Sequence, residues 1–293
     1  MSKAIIPFTL LNSEVGDIPL VCDSPHSGTF YPEDFRYAVP HSLLRAGEDT
    51  HIDQLWSAVP HVGATLLMAN FPRTYIDPNR TLNDIDQLLL DDAWPDLLQP
   101  SEKSRLGFGL IWRQLNATTP IYDRQLSIDE VKHRINQYYL PYHEALNRAI
   151  ENKVNRFGGV WHLNLHSMPN NAYERLQIKN PPHPLADFVL GDRDGTTCEP
   201  EFIELIEKNL RSMGYSVSRN DPYKGMQLIA NIGNPKENRH SLQVELRRPV
   251  YMDEITREPN DNFHIVQNDI SKLLKTIAAY LEDRKTRKTT PTQ

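Results

Sequence analysis

Four apolar runs in this chain each end in a knot of polar residues, and that pattern limits the folds open to it. The runs lie within "IPLVCDS" (18–24), "GATLLMAN" (63–70), "VWHLNLH" (160–166) and "HSLQVELRRPVY" (240–251). The knots are "CDSPHSG" (22–28), "NFPRTYIDPNR" (70–80), "LNLHSMPN" (163–170) and "QVELRRP" (243–249). Runs of this length bounded by turn residues read as strands, and helical patterns separate them. The prediction is an α/β fold: a mixed central sheet flanked by helices. In open α/β sheets ligands bind beyond the carboxyl ends of the strands, which is where these knots fall.

The clearest helix spans 127–159. Ser127 and Glu130 form a capping-box pattern, Val131, Ile135, Tyr138, Tyr142, Ala145, Ala149 and Ile150 track one face, and Gly158-Gly159 stops it. Pro141 should kink it. Further helices are predicted over 200–214 and 261–282, while in 41–59 only the second half has clean helical spacing. Residues 81–126 lack periodicity and read as a long excursion covering one end of the sheet, and excursions of that length are usually functional or mobile. The expected organisation is a single domain over 1–285 and a polar, flexible tail over 286–293.

A net charge of −6 argues against a nucleic-acid partner, whose recognition rests on basic surface. Two cysteines in no paired motif exclude a disulfide framework and a cysteine-rich zinc module. No run is long enough to cross a membrane and the first residues do not read as a signal peptide, so a cytoplasmic location is expected.

Several residues in the knots and in the segments beside them are equipped for chemistry. His26 sits in Pro-His-Ser-Gly, where Gly28 would let backbone approach a ligand; it can equally be a turn histidine. Asp49 and Asp53 are one helical turn apart if the segment is helical, and Asp49 alone can be explained as a helix cap. Glu48 is expected in solvent. His162 and His166 share a face of their strand, with His166 at its end and His162 deeper, as a core residue. A zinc site needs donors from separate segments with one position open, and His26, Asp49 and His166 form such a set, although their spacing is not specific. Asn79 with Arg80 suits an anionic group, and Arg73, Arg175, Arg247 and Arg248 are further cations that can equally form surface ion pairs. Glu245, inside "LQVEL", needs either a partner such as Arg73 or a task such as general base.

As a set, "SPHSG" (24–28), "EDTHIDQLW" (48–56), "FPRTYIDPNR" (71–80), "YYLPYHEAL" (138–146), "LNLHSMP" (163–169) and "LQVELRRPVYMDE" (242–254) resemble the N-formylglutamate amidohydrolases. That family is similar at a distance to zinc carboxypeptidases and aspartoacylases. The resemblance implies a phosphorylase/hydrolase-like fold and one Zn2+ per chain held by His26, Asp49 and His166. It implies Glu245 as catalytic carboxylate, Asn79 and Arg80 for the substrate carboxylate, and Arg73 and Arg175 on the substrate side, with Arg73 facing the oxyanion. His51 and His143 fall in matching blocks without an assigned role. The distant peptidases use a His-x-x-Glu pair, and Thr29 stands where that Glu would be, so Asp49 is taken as third ligand and Asp53 as its alternative. The implied activity releases formate from N-formyl-L-glutamate in histidine catabolism, the substrate being a small anionic N-acyl amino acid. The competing readings are a related N-acyl-amino-acid amidohydrolase or carboxypeptidase-like hydrolase, and a non-catalytic carboxylate-binding protein.

Overall fold

In the computed structural model, which describes residues 6–289 and side chains up to 284, the polar knots do stand at strand ends. The strands are β1 (Phe8–Leu11), β2 (Leu20–Ser24), β3 (Thr65–Ala69), β4 (Gln114–Asn116), β5 (Thr119–Pro120), β6 (Val160–Met168), β7 (Phe188–Gly191), β8 (Val217–Arg219) and β9 (Arg239–Arg247). Seven of them form one sheet in the order β1-β3-β2-β6-β9-β7-β8. β6 runs parallel to both β2 and β9, β7 is parallel to β8, and β7 is antiparallel to β9, so the sheet is mixed as expected. Every residue of β2 and β6 is buried, so the polar groups set within these apolar runs need internal partners. β1, β7 and β8 were not predicted: at three or four residues each they carry too little periodicity.

The chain folds as two compact units. One is built on Pro25–Thr50 and Leu67–Asn147, the other on Leu10–Ser24, His51–Leu66 and the chain from Arg148 on. The first has an aromatic core of Phe35, Phe71, Tyr75, Tyr122 and Tyr138. Arg134 is buried in it, donating to Tyr75 O (3.0 Å) and Tyr122 Oη (2.7 Å) with its guanidinium 4.2 Å from the centre of the Tyr75 ring. The excursion belongs to this unit. It carries the β4–β5 hairpin and buries Leu110, Ile111 and Ile121, and Leu110 O accepts Asp77 N at 2.7 Å.

The long helix starts where the capping box predicts, with Ser127 and Glu130 bonded reciprocally. Its disruption by Pro141 takes the form of a π-turn over Ile135–Tyr139, between helices Ile128–Arg134 and Leu140–Phe157. Widening the turn just before a proline eases the clash of the ring with the preceding carbonyls. In the second unit, helix Pro200–Ser212 ends before Gly214, whose φ of +94° suits glycine. The closing helix is Phe263–Thr289, longer than predicted, and of the expected flexible tail at 286–293 the last four residues lie outside those described. Among the described residues no helix is long and apolar enough to cross a membrane.

Candidate metal centre

The loop after β2 carries His26, and the loop after β3 carries Arg73, Asp77, Asn79 and Arg80. Gly28 brings the two loops together. A Cβ at that position would stand 2.4 Å from Phe71 O and 2.5 Å from Asn70 C, so the close approach glycine permits is to the protein's own backbone. His26 Nε2 then reaches Asp77 Oδ1 at 2.7 Å. Asp49 arrives from a third segment: its N–H donates to His26 O (2.9 Å), and its Oδ2 lies 3.4 Å from His26 Nδ1.

Asp49 and Asp53 do not share a helix. The chain is extended at Glu48, His51 is left-handed (φ 67°), and the short helix begins only at Ile52. The expected one-turn relation therefore fails, and Asp53 takes no part in the donor cluster described below. Glu48 also departs from expectation: it is buried, accepting from Tyr31 Oη (2.7 Å), Arg45 Nε (3.2 Å) and Thr50 Oγ1 (3.1 Å). This bonding fixes the strand-like turn that presents Asp49.

Asp77 was not predicted as a site residue, yet it joins the two loops. It is fully buried; Oδ1 also accepts Asn79 N (2.9 Å), and Oδ2 accepts Arg73 Nη2 (2.8 Å) and Nε (3.2 Å). Burial works to raise its pKa, but Arg73, His26 and Arg80 hold it well below the usual carboxylate range. Arg73 is also stacked 5.0 Å from the centre of the Trp112 ring. Arg80 is 4% exposed and stands 3.9 Å from both Asp77 Oδ2 and Asp84 Oδ2, too far for a hydrogen bond to either. Its Nε is a buried donor without an acceptor, and burial lowers its pKa against the pull of Asp77. From the π-turn and the helix after it, Tyr139 Oη donates to Arg80 O (2.7 Å), and His143 Nε2 bonds Pro78 O (2.9 Å). His143 thus supports the loop of Asn79 and Arg80, while His51 Nε2 bonds Arg257 O (2.9 Å).

On the sheet, β6 and β9 pair in parallel with His162 opposite Ser241, Asn164 opposite Gln243, and His166 opposite Glu245. Alternation puts each trio on one face of its strand. Glu245 is 8% exposed and its Oε1 accepts Gln243 Nε2 at 2.9 Å. His166 Nε2 bonds Asn164 Oδ1 at 2.6 Å. His162 is the interior histidine expected, with Nδ1 on Ser241 Oγ (2.7 Å) and Nε2 on Asp23 Oδ1 (2.8 Å). Beyond β9, Arg248 is buried and donates to Ser167 Oγ (3.0 Å). Arg175 ends a short helix and bonds Asn171 Oδ1 (2.9 Å); partial burial and then the charge of Arg248 depress its pKa. Arg247 pairs with Asp187 at 2.6 Å, the ordinary ion pair allowed for it.

His26 and Asp49 of the first unit and His166 of the second are the group of potential ligands, among the described residues, that could hold a metal ion. Each is at least 97% buried. Two imidazoles and a carboxylate from separate segments suit a divalent cation of borderline hardness, with a position left over. Both histidines have Nε2 engaged, by Asp77 and by Asn164, in the way that metal-binding imidazoles are held by a second partner. The triad is a candidate metal site. A surface cleft elsewhere, lined by Arg113, Tyr122 and Arg124, carries none of these residues.

Comparison with known proteins places the chain in a family. A crystal structure of N-formylglutamate amidohydrolase from Ralstonia eutropha JMP134 is 62% identical and superposes with a TM-score of 0.94, covering 95% of this chain and 99% of that one. N-formylglutamate deformylase from Pseudomonas putida is 28% identical over 249 residues, 84% of this chain and 86% of the relative. The Pseudomonas aeruginosa enzyme of that name is 25% identical over 84% and 86%. The sequence profile described as N-formylglutamate amidohydrolase matches residues 18–252. This is an enzyme, not a passive carboxylate-binding protein: the chain belongs to the N-formylglutamate amidohydrolase family, and is an amidohydrolase.

Proposed function

We propose that this protein hydrolyses N-formyl-L-glutamate to formate and L-glutamate, using one Zn2+ held by His26, Asp49 and His166. Membership of the family is the observation that carries the reading, and the donor set of two imidazoles and a carboxylate supports the metal. The substrate is taken from the relatives named for it. When bound, zinc would acidify a water and polarise the formyl oxygen.

The protein's own groups have separate tasks. Glu245 is the general base: it takes a proton from the attacking water and returns it to the amine nitrogen as the C–N bond breaks. Gln243 steadies the carboxylate of Glu245 through Oε1. Arg73 is the cation assigned to the developing oxyanion, a task it would share with holding Asp77. Asn79 and Arg80 bind a substrate carboxylate, and the unsatisfied Nε of Arg80 supports this, since an anion would relieve a buried donor. Arg175 is a second substrate-side cation. The expected setting is histidine catabolism in the cytoplasm; two buried, unpaired cysteines accord with a reducing compartment.

Glu245→Gln tests the assignment of the base. The variant should bind zinc as the wild type does and lose most turnover, and activity surviving that change removes Glu245 from the role. A panel of N-formyl, N-acetyl and N-succinyl amino acids separates deformylation from the related acyl-amino-acid hydrolases.

A further inference from the structure

The mechanism leaves a buried polar chain on the sheet without a task. Four hydrogen bonds link five side chains: Ser241 Oγ to His162 Nδ1 (2.7 Å), His162 Nε2 to Asp23 Oδ1 (2.8 Å), Asn164 Nδ2 to Asp23 Oδ1 (2.8 Å), and His166 Nε2 to Asn164 Oδ1 (2.6 Å). All five residues are at least 97% buried. Strand pairing builds the chain, because Asp23 of β2 lies opposite Asn164 of β6, and His162 lies opposite Ser241 of β9.

The proton positions follow from the chemistry of the groups. A carboxylate only accepts, so Asn164 must present its NH2 to Asp23 and its carbonyl oxygen to His166. That oxygen also only accepts, so His166 Nε2 must carry the hydrogen, and the lone pair of the neutral ring is on Nδ1. On the other side His162 gives its Nε2–H to Asp23, and its Nδ1 accepts the Ser241 hydroxyl. Every donated hydrogen in the chain points toward Asp23.

We propose that Asp23 and Asn164 are positioning residues for the metal ligand His166, with His162 and Ser241 completing the shell of Asp23. A metal-binding histidine usually gives its second ring N–H directly to a carboxylate, a backbone carbonyl or water, and His26 meets the carboxylate of Asp77. At His166 the carboxylate acts through an amide. The chain fixes the tautomer that offers Nδ1, locks the ring, and makes that nitrogen a better donor. This inference rests on the metal-centre reading above.

The test is equilibrium zinc affinity, measured by competition with a chromophoric chelator, in wild type, Asn164→Ala, Asp23→Asn, the double variant and His166→Ala. Urea unfolding of the metal-free proteins is followed in parallel. His166→Ala should lose the zinc. Asn164→Ala and Asp23→Asn should each weaken it about 10–100-fold, the usual cost of removing such a support. Because the two act in series, the double variant should be little worse than the weaker single variant. Long-range 1H–15N spectra of the metal-free protein should show His166 as the Nε2–H tautomer in wild type and as a mixture in Asn164→Ala, a change that loss of stability alone does not produce.

If Asp23→Asn does not fold, Ser241→Ala replaces it and should give a smaller drop in the same direction. Zinc binding unchanged in Asn164→Ala, or losses that multiply in the double variant, overturns the inference. If His166→Ala loses zinc while the other variants keep it, only the inference is wrong. If wild type takes up no zinc, or His166→Ala binds it normally, the metal-centre reading fails and the inference falls with it.

Discussion

Replacing Asp77 with asparagine keeps the shape of the side chain and removes its charge. The native carboxylate serves four donors: His26 Nε2, Asn79 N, and Arg73 Nη2 and Nε, at 2.7–3.2 Å. Arg80 stands 3.9 Å off. An asparagine amide has one oxygen, so its NH2 must face either His26 or the Arg73 guanidinium, and a buried donor loses its acceptor. The guanidinium groups of Arg73 and Arg80 also lose the charge that balances them. Removing one partner of a buried ion pair costs about 3–5 kcal/mol, and because the Arg73 side chain is 20% exposed and can rehydrate, the lower end applies, about 3 kcal/mol. Urea unfolding of the metal-free variant measures this without interference from the ion. Zinc affinity should fall as well, about 10–100-fold, because the His26 ring loses its support. A stability change under about 1 kcal/mol, the range of ordinary substitutions, together with unchanged zinc affinity, would refute the claim that Asp77 ties the two loops together.

Other substitutions probe separate parts of the account. Arg80→Lys removes the planar fork, so KM for N-formyl-L-glutamate should rise about 10–100-fold with a smaller change in kcat, the worth of about 1.5–3 kcal/mol of charged hydrogen bonding; an unchanged KM contradicts the assignment. Gly28→Ala forces a methyl group against the backbone at Asn70 and Phe71 and should cost about 1–3 kcal/mol in unfolding experiments. Glu130 gives a pH test. Its hydrogen bond with Arg124, only partly opposed by burial, lowers its pKa to about 2 from an ordinary value of 4.5. A depressed carboxyl pKa adds stability that is fully present above 4.5 and is lost as pH falls toward 2. With the Glu130 side chain 28% exposed, solvent screening limits this to about 1 kcal/mol. Glu130→Gln should therefore lose that amount at pH 7 and much less at pH 3; an equal loss at both would contradict it.

The parts of the site that were legible in the sequence are those set by local signals. His26, His166 and Glu245 stood out as polar groups at or near the ends of apolar runs, and Asp49 as a carboxylate near the start of an expected helix, all of them local features. The residues that support them were not legible in the same way. Asp77 acquires its meaning only when Gly28 lets one loop lie against another, a contact between distant segments. Asn164 and Asp23 matter because β2 pairs with β6, and pairing order is not written in any one strand. A hint was present for Asp23: a carboxylate inside "LVCDS" needs a partner for the same reason that Glu245 does inside "LQVEL". The helical relation drawn between Asp49 and Asp53 failed because His51 takes a left-handed conformation, rare for a residue other than glycine, and breaks the spacing. The long helix was legible through its capping box and apolar face, but how it would absorb Pro141 was not, since a kink and a π-turn answer the same steric problem.

Formate release from N-formyl-L-glutamate, before and after removal of bound metal by a chelator, tests the central claim most directly. The purified protein should turn the substrate over, lose that turnover on chelation, and recover it when about one equivalent of zinc per chain is restored. Formate release that persists in demonstrably metal-free protein would contradict that claim.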